Sequence, residues 1–247
     1  MISQDPRCIY QNNPLAEVIC QLRFPEILTI QANIPIDFQE SIRQMFPGYS
    51  VRKEPIFNQT TATNNYQFVT ADGIWRINLT SSFISLACSR YTCWEDFARM
   101  LDSPLAAFIQ IYKPAYFERI GLRYINFISR KQLKLDTVPF KELMEPCYLG
   151  ILAEEDVAET GTRRCSVDAE TGIRNGCRVK IHAGLGKVNR GDIHDSEIKF
   201  IFDHDLYIGG NIPVNHSAGV LQTLHSQSYG IFRGAITDRL HRAMEPV

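Results

Sequence analysis

The chain has 247 residues, of which 45% are hydrophobic and 21% charged, and its formal net charge is -1 at pH 7. This composition is typical of an ordinary folded protein and excludes an intrinsically disordered chain. Without a positive excess, the chain lacks the global attraction to nucleic acid that many nucleic-acid-binding proteins have, so such a role would need a local basic surface.

The cysteines are scattered and form no Cys-x-x-Cys pair; they lie at positions 8, 20, 88, 93, 147, 165 and 177. Their odd number and irregular spacing argue against a disulfide framework and against structural zinc. We therefore expect free thiols in a reducing, cytoplasmic setting, with no metal and no other cofactor. The opening segment MISQDPRCIY does not predict a signal peptide, and no apolar run is long enough to cross a membrane.

The first third of the chain predicts a strand, a helix and a run of short strands. Apolar and polar side chains alternate over residues 15–24, which is typical of a half-buried strand. Helical spacing predicts a helix over residues 36–46, ended by Pro47 and Gly48. Short strands are expected at residues 50–59, 65–70, 73–79 and 83–90, with a tight turn at Asp72-Gly73.

A long helix is predicted after these strands. Thr92 is a good N-cap, and Glu95 three residues later would complete a capping box. Pro104 should kink or restart this helix, and Pro114 should end it. The segment ERIGLRYINFI at residues 118–128 then reads as a strand.

The second half of the chain repeats this order in outline. Hairpin strands are expected within residues 161–172, 176–185 and 196–206, and one long helix over about residues 214–244. The order of elements predicts an α+β fold in which antiparallel curved sheets each pack on a long helix. We expect one domain over residues 1–247, and the order suggests two pseudo-repeated halves, 1–130 and 131–247.

The strand at residues 118–128 carries two permanent cations on one face. In an extended strand Arg119, Gly121 and Arg123 share that face, whereas Asn126 belongs to the other. The missing side chain of Gly121 would leave a recess beside the guanidinium groups that suits a carboxylate or phosphate. The sequence therefore predicts an anion-binding site at Arg119, Arg123 and Asn126. The alternative is that both arginines brace the fold by pairing with acidic side chains on a neighbouring helix, such as Glu95 or Asp96.

A second group combines aspartates and histidines, at His182, Asp192, His194, Asp195, Asp203, His204 and Asp205. A hairpin would place its members at opposite ends, so that three or four ligands do not meet. We therefore predict solvent-exposed turns and no metal site, although Asp203 and Asp205 share a face and could hold a hard cation weakly.

Two further patterns bear on nucleotide or nucleic-acid binding. The segment GLGKVNRG at residues 184–191 lacks the complete P-loop spacing and reads as a hairpin tip. A nucleic-acid interface is a hypothesis for the basic side chains near it, but acidic residues interleave with them and it is not favoured. These basic side chains are Arg178, Lys180, Lys187 and Arg190.

The segments NNPLAEVICQLRF, YTCWEDF, ERIGLRYINFI and LQTLHSQSYGIFRGAIT together resemble an uncharacterised, sporadically distributed bacterial family of about this length. The most specific part is the Ile-Gly-Leu-Arg-Tyr-x-Asn strand motif at residues 120–126. The resemblance implies no catalytic residue. A sporadic distribution is typical of genes in mobile or antiviral-defence loci, so the resemblance implies an accessory protein of such a locus.

No catalytic constellation is recognisable: there is no Gly-x-Ser-x-Gly elbow, and Cys93 has no assignable histidine partner. We therefore expect a non-enzymatic adaptor or regulatory accessory protein that binds a protein partner, encoded by a neighbouring gene, and does not bind membranes. The alternative is a protein or enzyme that binds a small anionic ligand or nucleotide in an arginine-lined cleft.

Overall fold

The structure is a computed structural model and describes residues 2–55, 62–190 and 193–247, without the side chains of residues 54, 55, 62, 189, 190, 193 and 194. The strands are β1 (Leu15–Arg23), β2 (Gly48–Pro55), β3 (Ala62–Val69), β4 (Trp75–Leu79), β5 (Phe83–Cys88), β6 (Phe117–Ile128), β7 (Ser166–Gly172), β8 (Arg178–Arg190) and β9 (Ile193–Ile212). The helices are α1 (Leu28–Ala32), α2 (Ile36–Ile42), α3 (Trp94–Tyr112), α4 (Ser217–Arg233) and α5 (Asp238–Ala243).

The fold is α+β, as predicted, with an antiparallel sheet of nine strands in the order β2-β3-β4-β5-β1-β6-β9-β8-β7. The described helices range from five residues in α1 to 19 residues in α3. The expected repetition of two halves, each a curved sheet on a long helix, is not confirmed. No helix in the described parts of the chain is long and apolar enough to cross a membrane.

The chain divides into two compact units. The N-terminal unit consists of residues 17–122 and 207–222. The C-terminal unit consists of residues 1–16, 123–206 and 223–247.

Aromatic side chains form the core of the N-terminal unit. Phe24 at the end of β1 packs on Phe108 of α3, with ring centroids 4.7 Å apart. Phe38 of α2 contacts Phe68 of β3 with a centroid separation of 5.4 Å. All four of these side chains are buried. Large apolar side chains at helical and alternating spacing therefore fix the helices against the sheet, since burial of each is worth roughly 1.5–3 kcal/mol.

The alternation of β6 continues into the C-terminal unit as predicted. Tyr124, Asn126 and Ile128 are buried, whereas Arg123 faces solvent. β7 and β8 pair in antiparallel register, which places Asp168 opposite His182. This register decides which polar side chains meet on the solvent face.

The predicted single helix over residues 214–244 is wrong. α4 ends at Arg233, and α5 begins after Thr237, whose hydroxyl accepts from the Leu240 amide at 3.4 Å. The chain between them bends because Met144 and Ile236 form an isolated antiparallel bridge. α4 and α5 are therefore two separate helices, and the Thr237 hydroxyl caps the second.

The predicted capping box of α3 is also absent. Cys93 is the N-cap residue and makes no side-chain cap bond, while the Thr92 hydroxyl donates to Asp96 at 2.9 Å. Pro104 lies inside a helix that runs without a break from Trp94 to Tyr112.

Candidate functional site

Arg119 occupies the recess that the sequence assigned to an anion. Its guanidinium lies over the ring of Tyr207, 4.5 Å from the centroid. A Cβ atom at Gly121 would collide with the same guanidinium, so the space above the glycine is taken by Arg119 itself. The glycine therefore permits a cation–π contact within the N-terminal unit.

Arg123 is held by an acidic partner in the C-terminal unit. Its Nε and Nη2 atoms donate to the two carboxylate oxygens of Asp203, at 2.8 and 2.5 Å. This bidentate geometry is the one that guanidinium groups also adopt with carboxylate or phosphate ligands. An external anion at Arg123 would therefore compete with Asp203.

Asn126, the third residue of the predicted anion site, is buried on the opposite face of β6. Its side-chain amide donates to the Phe202 carbonyl at 3.0 Å. The structure thus separates Asn126 from the solvent face that carries Arg123.

A polar groove of about 470 Å³ lies on the solvent face of the C-terminal unit. Its lining is charged almost throughout and consists of Arg123, Asp168, Ala169, Glu170, Lys180, Ile181, His182, Asp203 and Asp205. Most of these charges are already paired with one another. A ligand in this groove would have to compete with these ion pairs.

His182 and Asp168 form a cross-strand pair in this groove, with His182 Nδ1 at 2.7 Å from Asp168 Oδ1. The hydrogen bond to His182 is the main cause that lowers the pKa of Asp168. An imidazole oriented by a carboxylate is half of a general-base arrangement. No nucleophile within the described part of this groove completes it.

The other predicted polar residues do not gather at one place. Arg178 and Lys180 lie 3.7 and 3.5 Å from the carboxylate of Glu170. Lys187 is exposed. The side chains of Arg190 and His194, and all of Asp192, lie outside the described residues. Among the residues that are described, no group of three His, Cys, Asp or Glu side chains could hold a metal ion.

Beneath the groove, on the buried face of the C-terminal unit, lies a polar cluster that the sequence did not predict. His204 Nε2 lies 2.8 Å from Ser228 Oγ, and the Tyr124 hydroxyl lies 3.0 Å from His225 Nδ1. All four side chains are buried, so the prediction of a solvent-exposed turn at His204 is wrong: this residue lies within β9. Burial lowers the pKa of His204 to about 4, so the imidazole is neutral near pH 7, although Asp203 opposes this shift.

The N-terminal unit exposes an unusual set of aliphatic side chains around α1 and α2. Leu28, Ile34 and Ile36 are 71%, 64% and 63% exposed. Ile34 and Ile36 line a groove of about 350 Å³ together with Ile111 and Tyr112 at the end of α3. We call these five residues the apolar surface.

The lining of this groove mixes aliphatic side chains with the polar side chains of Thr29 and Asn33. Pro35 and Asp37 also line it. Burial is the main cause that raises the pKa of Tyr112 to about 12, and the Asp37 carboxylate adds to the shift. The groove therefore combines aliphatic side chains with a phenol that stays protonated. Exposed aliphatic side chains beside a groove are typical of interaction sites.

Sequence reasoning missed the apolar surface. Of the segment LTIQANIPID, only Ile36 and Asp37 fall in a predicted element, the helix over residues 36–46. The alternation of Ile34 and Ile36 around Pro35 was the available signal, because a proline between two aliphatic residues interrupts a helix.

No family model matches this chain, and no curated protein matches it. Membership of the sporadically distributed bacterial family therefore stays a prediction.

Proposed function

We propose that this protein is a non-enzymatic interaction module that binds a partner protein through the apolar surface. The observation that carries the proposal is the exposure of Leu28, Ile34 and Ile36 beside a groove, within nine residues of one another. Full burial of one such side chain is worth roughly 1.5–3 kcal/mol, so covering the surface would supply a substantial part of a binding free energy.

The partner we propose is the product of a neighbouring gene, for which the protein serves as an adaptor or regulatory subunit. The support for this part is the resemblance to a sporadically distributed bacterial family, whose distribution is typical of mobile or antiviral-defence loci. The contact chemistry requires a partner that presents aliphatic or aromatic side chains, because these are the groups that fill an apolar groove.

The anion-binding alternative has less support from the contacts. Arg119 lies on Tyr207 and Arg123 is chelated by Asp203, so a ligand would have to replace an existing partner at either guanidinium. Nucleic-acid binding has less support as well, since Glu170 lies beside both Arg178 and Lys180.

The proposal is tested by co-expressing the full chain with the products of its neighbouring genes and purifying complexes through a high-salt wash. We expect a stoichiometric complex that the double variant Ile34→Asp/Ile36→Asp loses. The matched control is Ile151→Asp, which changes an aliphatic side chain of similar exposure, 60%, in the C-terminal unit.

The control should keep the complex, because Ile151 does not belong to the apolar surface. A complex that survives the double variant contradicts the proposed surface. Absence of any complex with the neighbouring products contradicts the proposed function. Circular dichroism and urea unfolding of each variant establish that the N-terminal unit is still folded.

A further inference from the structure

The open edge of the sheet in the N-terminal unit is the strand β2. β2 stands at one end of the strand order, and all eight of its residues are paired with β3. In an antiparallel pair, every second residue directs its amide and carbonyl away from the neighbouring strand. Beyond the β2–β3 ladder, residues 48–53 make no backbone hydrogen bond to another described residue. The edge therefore presents a row of donors and acceptors that can pair with a further strand.

The apolar surface continues onto this edge. Tyr49 and Val51 are each 45% exposed and lie directly opposite the buried Phe68 and Tyr66 of β3. Directly opposite residues share a face of the sheet. The hydroxyl of Tyr66 donates to the carbonyl of Asn33 at 3.3 Å, next to Ile34. The exposed aliphatic and aromatic groups of β2 thus lie on the same side of the sheet as the α1–α2 segment.

The charges on β2 indicate which kind of strand can pair with this edge. Arg52 and Lys53 are both exposed and, being consecutive, project to opposite faces of β2. Pairing β2 with a second copy of itself would bring four such cations and two Glu54 residues together on one ribbon, which leaves an excess of two positive charges. Basic residues on an edge strand oppose self-association in this way. A strand that carries carboxylates meets these cations favourably on either face.

Resting on the proposed function, we infer that the partner adds an extended acidic segment to the edge of β2. Its backbone pairs with β2, its apolar side chains cover Tyr49 and Val51, and its carboxylates lie beside Arg52 and Lys53. This is recognition by strand addition, in which main-chain hydrogen bonds supply affinity and alternate side chains supply specificity.

The test uses two synthetic peptides of about ten residues, enough to span β2, with blocked ends. One carries Val opposite Tyr49 and Val51 and Glu opposite Arg52 and Lys53, and the other has Lys in place of each Glu. Binding to the full chain is measured by fluorescence anisotropy, and the bound site by amide hydrogen exchange. We expect the Glu peptide to slow exchange within residues 48–53 and to bind at least about tenfold more tightly than the Lys peptide.

The charge contribution is isolated with a matched pair of double variants. Arg52→Glu/Lys53→Glu should weaken binding of the Glu peptide by at least about tenfold. Arg43→Glu/Arg99→Glu makes the same change in net charge at two exposed arginines of the same unit, one directly after α2 and one on α3, and should leave binding within about twofold.

Equal binding of the two peptides, protection elsewhere than β2, or equal loss in both double variants overturns the inference, as does a homodimer joined through β2. The inference also fails by itself if Ile34→Asp/Ile36→Asp abolishes the natural complex while the Glu peptide leaves β2 exchange unchanged. If the Glu peptide protects β2 but Ile34→Asp/Ile36→Asp leaves the natural complex intact, the result contradicts the proposed apolar surface and supports the strand edge.

Discussion

The rings of Tyr124 and His204 stack with centroids 5.5 Å apart and planes 13° from parallel. Each ring also has a hydrogen-bonding partner on α4, since Tyr124 contacts His225 and His204 contacts Ser228. Two strands and a helix of the C-terminal unit are therefore joined by polar contacts inside an apolar core. Buried polar groups that are paired in this way specify one packing arrangement, and they are costly to disturb.

The stability of the protein should fall between about pH 6.5 and pH 4 because of His204. Burial lowers its pKa to about 4, below the value of about 6.5 in an unfolded chain, so the unfolded state binds the proton more tightly in this range. The contribution is fully present above pH 6.5 and is lost as the pH falls to 4, by on the order of 3 kcal/mol.

Urea unfolding of wild type and His204→Gln across this range measures the effect, and the difference between the two curves should depend on pH. His216→Gln is the control, since that ring is exposed to solvent. A difference between wild type and His204→Gln that stays constant with pH would show that His204 does not cause the loss.

The Arg123–Asp203 pair should make a small, measurable contribution to stability. Arg123→Ala removes a bidentate contact, but its guanidinium is half exposed, so we expect a loss of about 1 kcal/mol or less. A double-mutant cycle with Asp203→Ala separates the pair interaction from the effects of the single changes. A coupling energy of zero would mean that Asp203 does not compete with an external anion for Arg123.

The two strand glycines Gly121 and Gly184 should respond differently to alanine. At Gly121 the new methyl group meets the end of the Arg119 side chain, which can move away at the cost of its contact with Tyr207. We expect a loss of at most about 1 kcal/mol. At Gly184 the methyl group meets the backbone of Cys165 and Ser166, so we expect a loss of roughly 1–3 kcal/mol.

Chemical unfolding of Gly121→Ala and Gly184→Ala compares these costs directly. In a Tyr207→Leu background, Gly121→Ala should cost less than in wild type, because the cation–π contact is already gone. A larger cost at Gly121 than at Gly184 would contradict the position of Arg119.

Thr237→Ala should destabilise the C-terminal helix α5 by about 1 kcal/mol. The Thr237 hydroxyl accepts from the Leu240 amide and donates to the Glu142 carbonyl at 2.8 Å. Thr237→Ser keeps the hydroxyl and should retain most of the stability in urea unfolding. Equal losses in both variants would mean that the methyl group, and not the cap, is what matters.

Local patterns predicted much of the secondary structure. The alternation in β1 and β6 identified both strands, and in β6 it also predicted which side chains are buried, such as Tyr124 and Asn126. The Asp72-Gly73 turn lies between β3 and β4 as expected, with Gly73 at a φ of 71°. The sequence did not reveal the break between α4 and α5, because the bridge from Ile236 to Met144 joins residues far apart in the chain.

The sequence by itself determined the fold class, the positions of most strands and the presence of two cations on one face of β6. These properties follow from the period of the side chains along one element, which is a local quantity. Only the tertiary structure decided that Arg119 lies on Tyr207, that Arg123 pairs with Asp203, and that Ile34 and Ile36 remain exposed. Partner choice and burial depend on which distant segments pack together, and no local pattern encodes that packing.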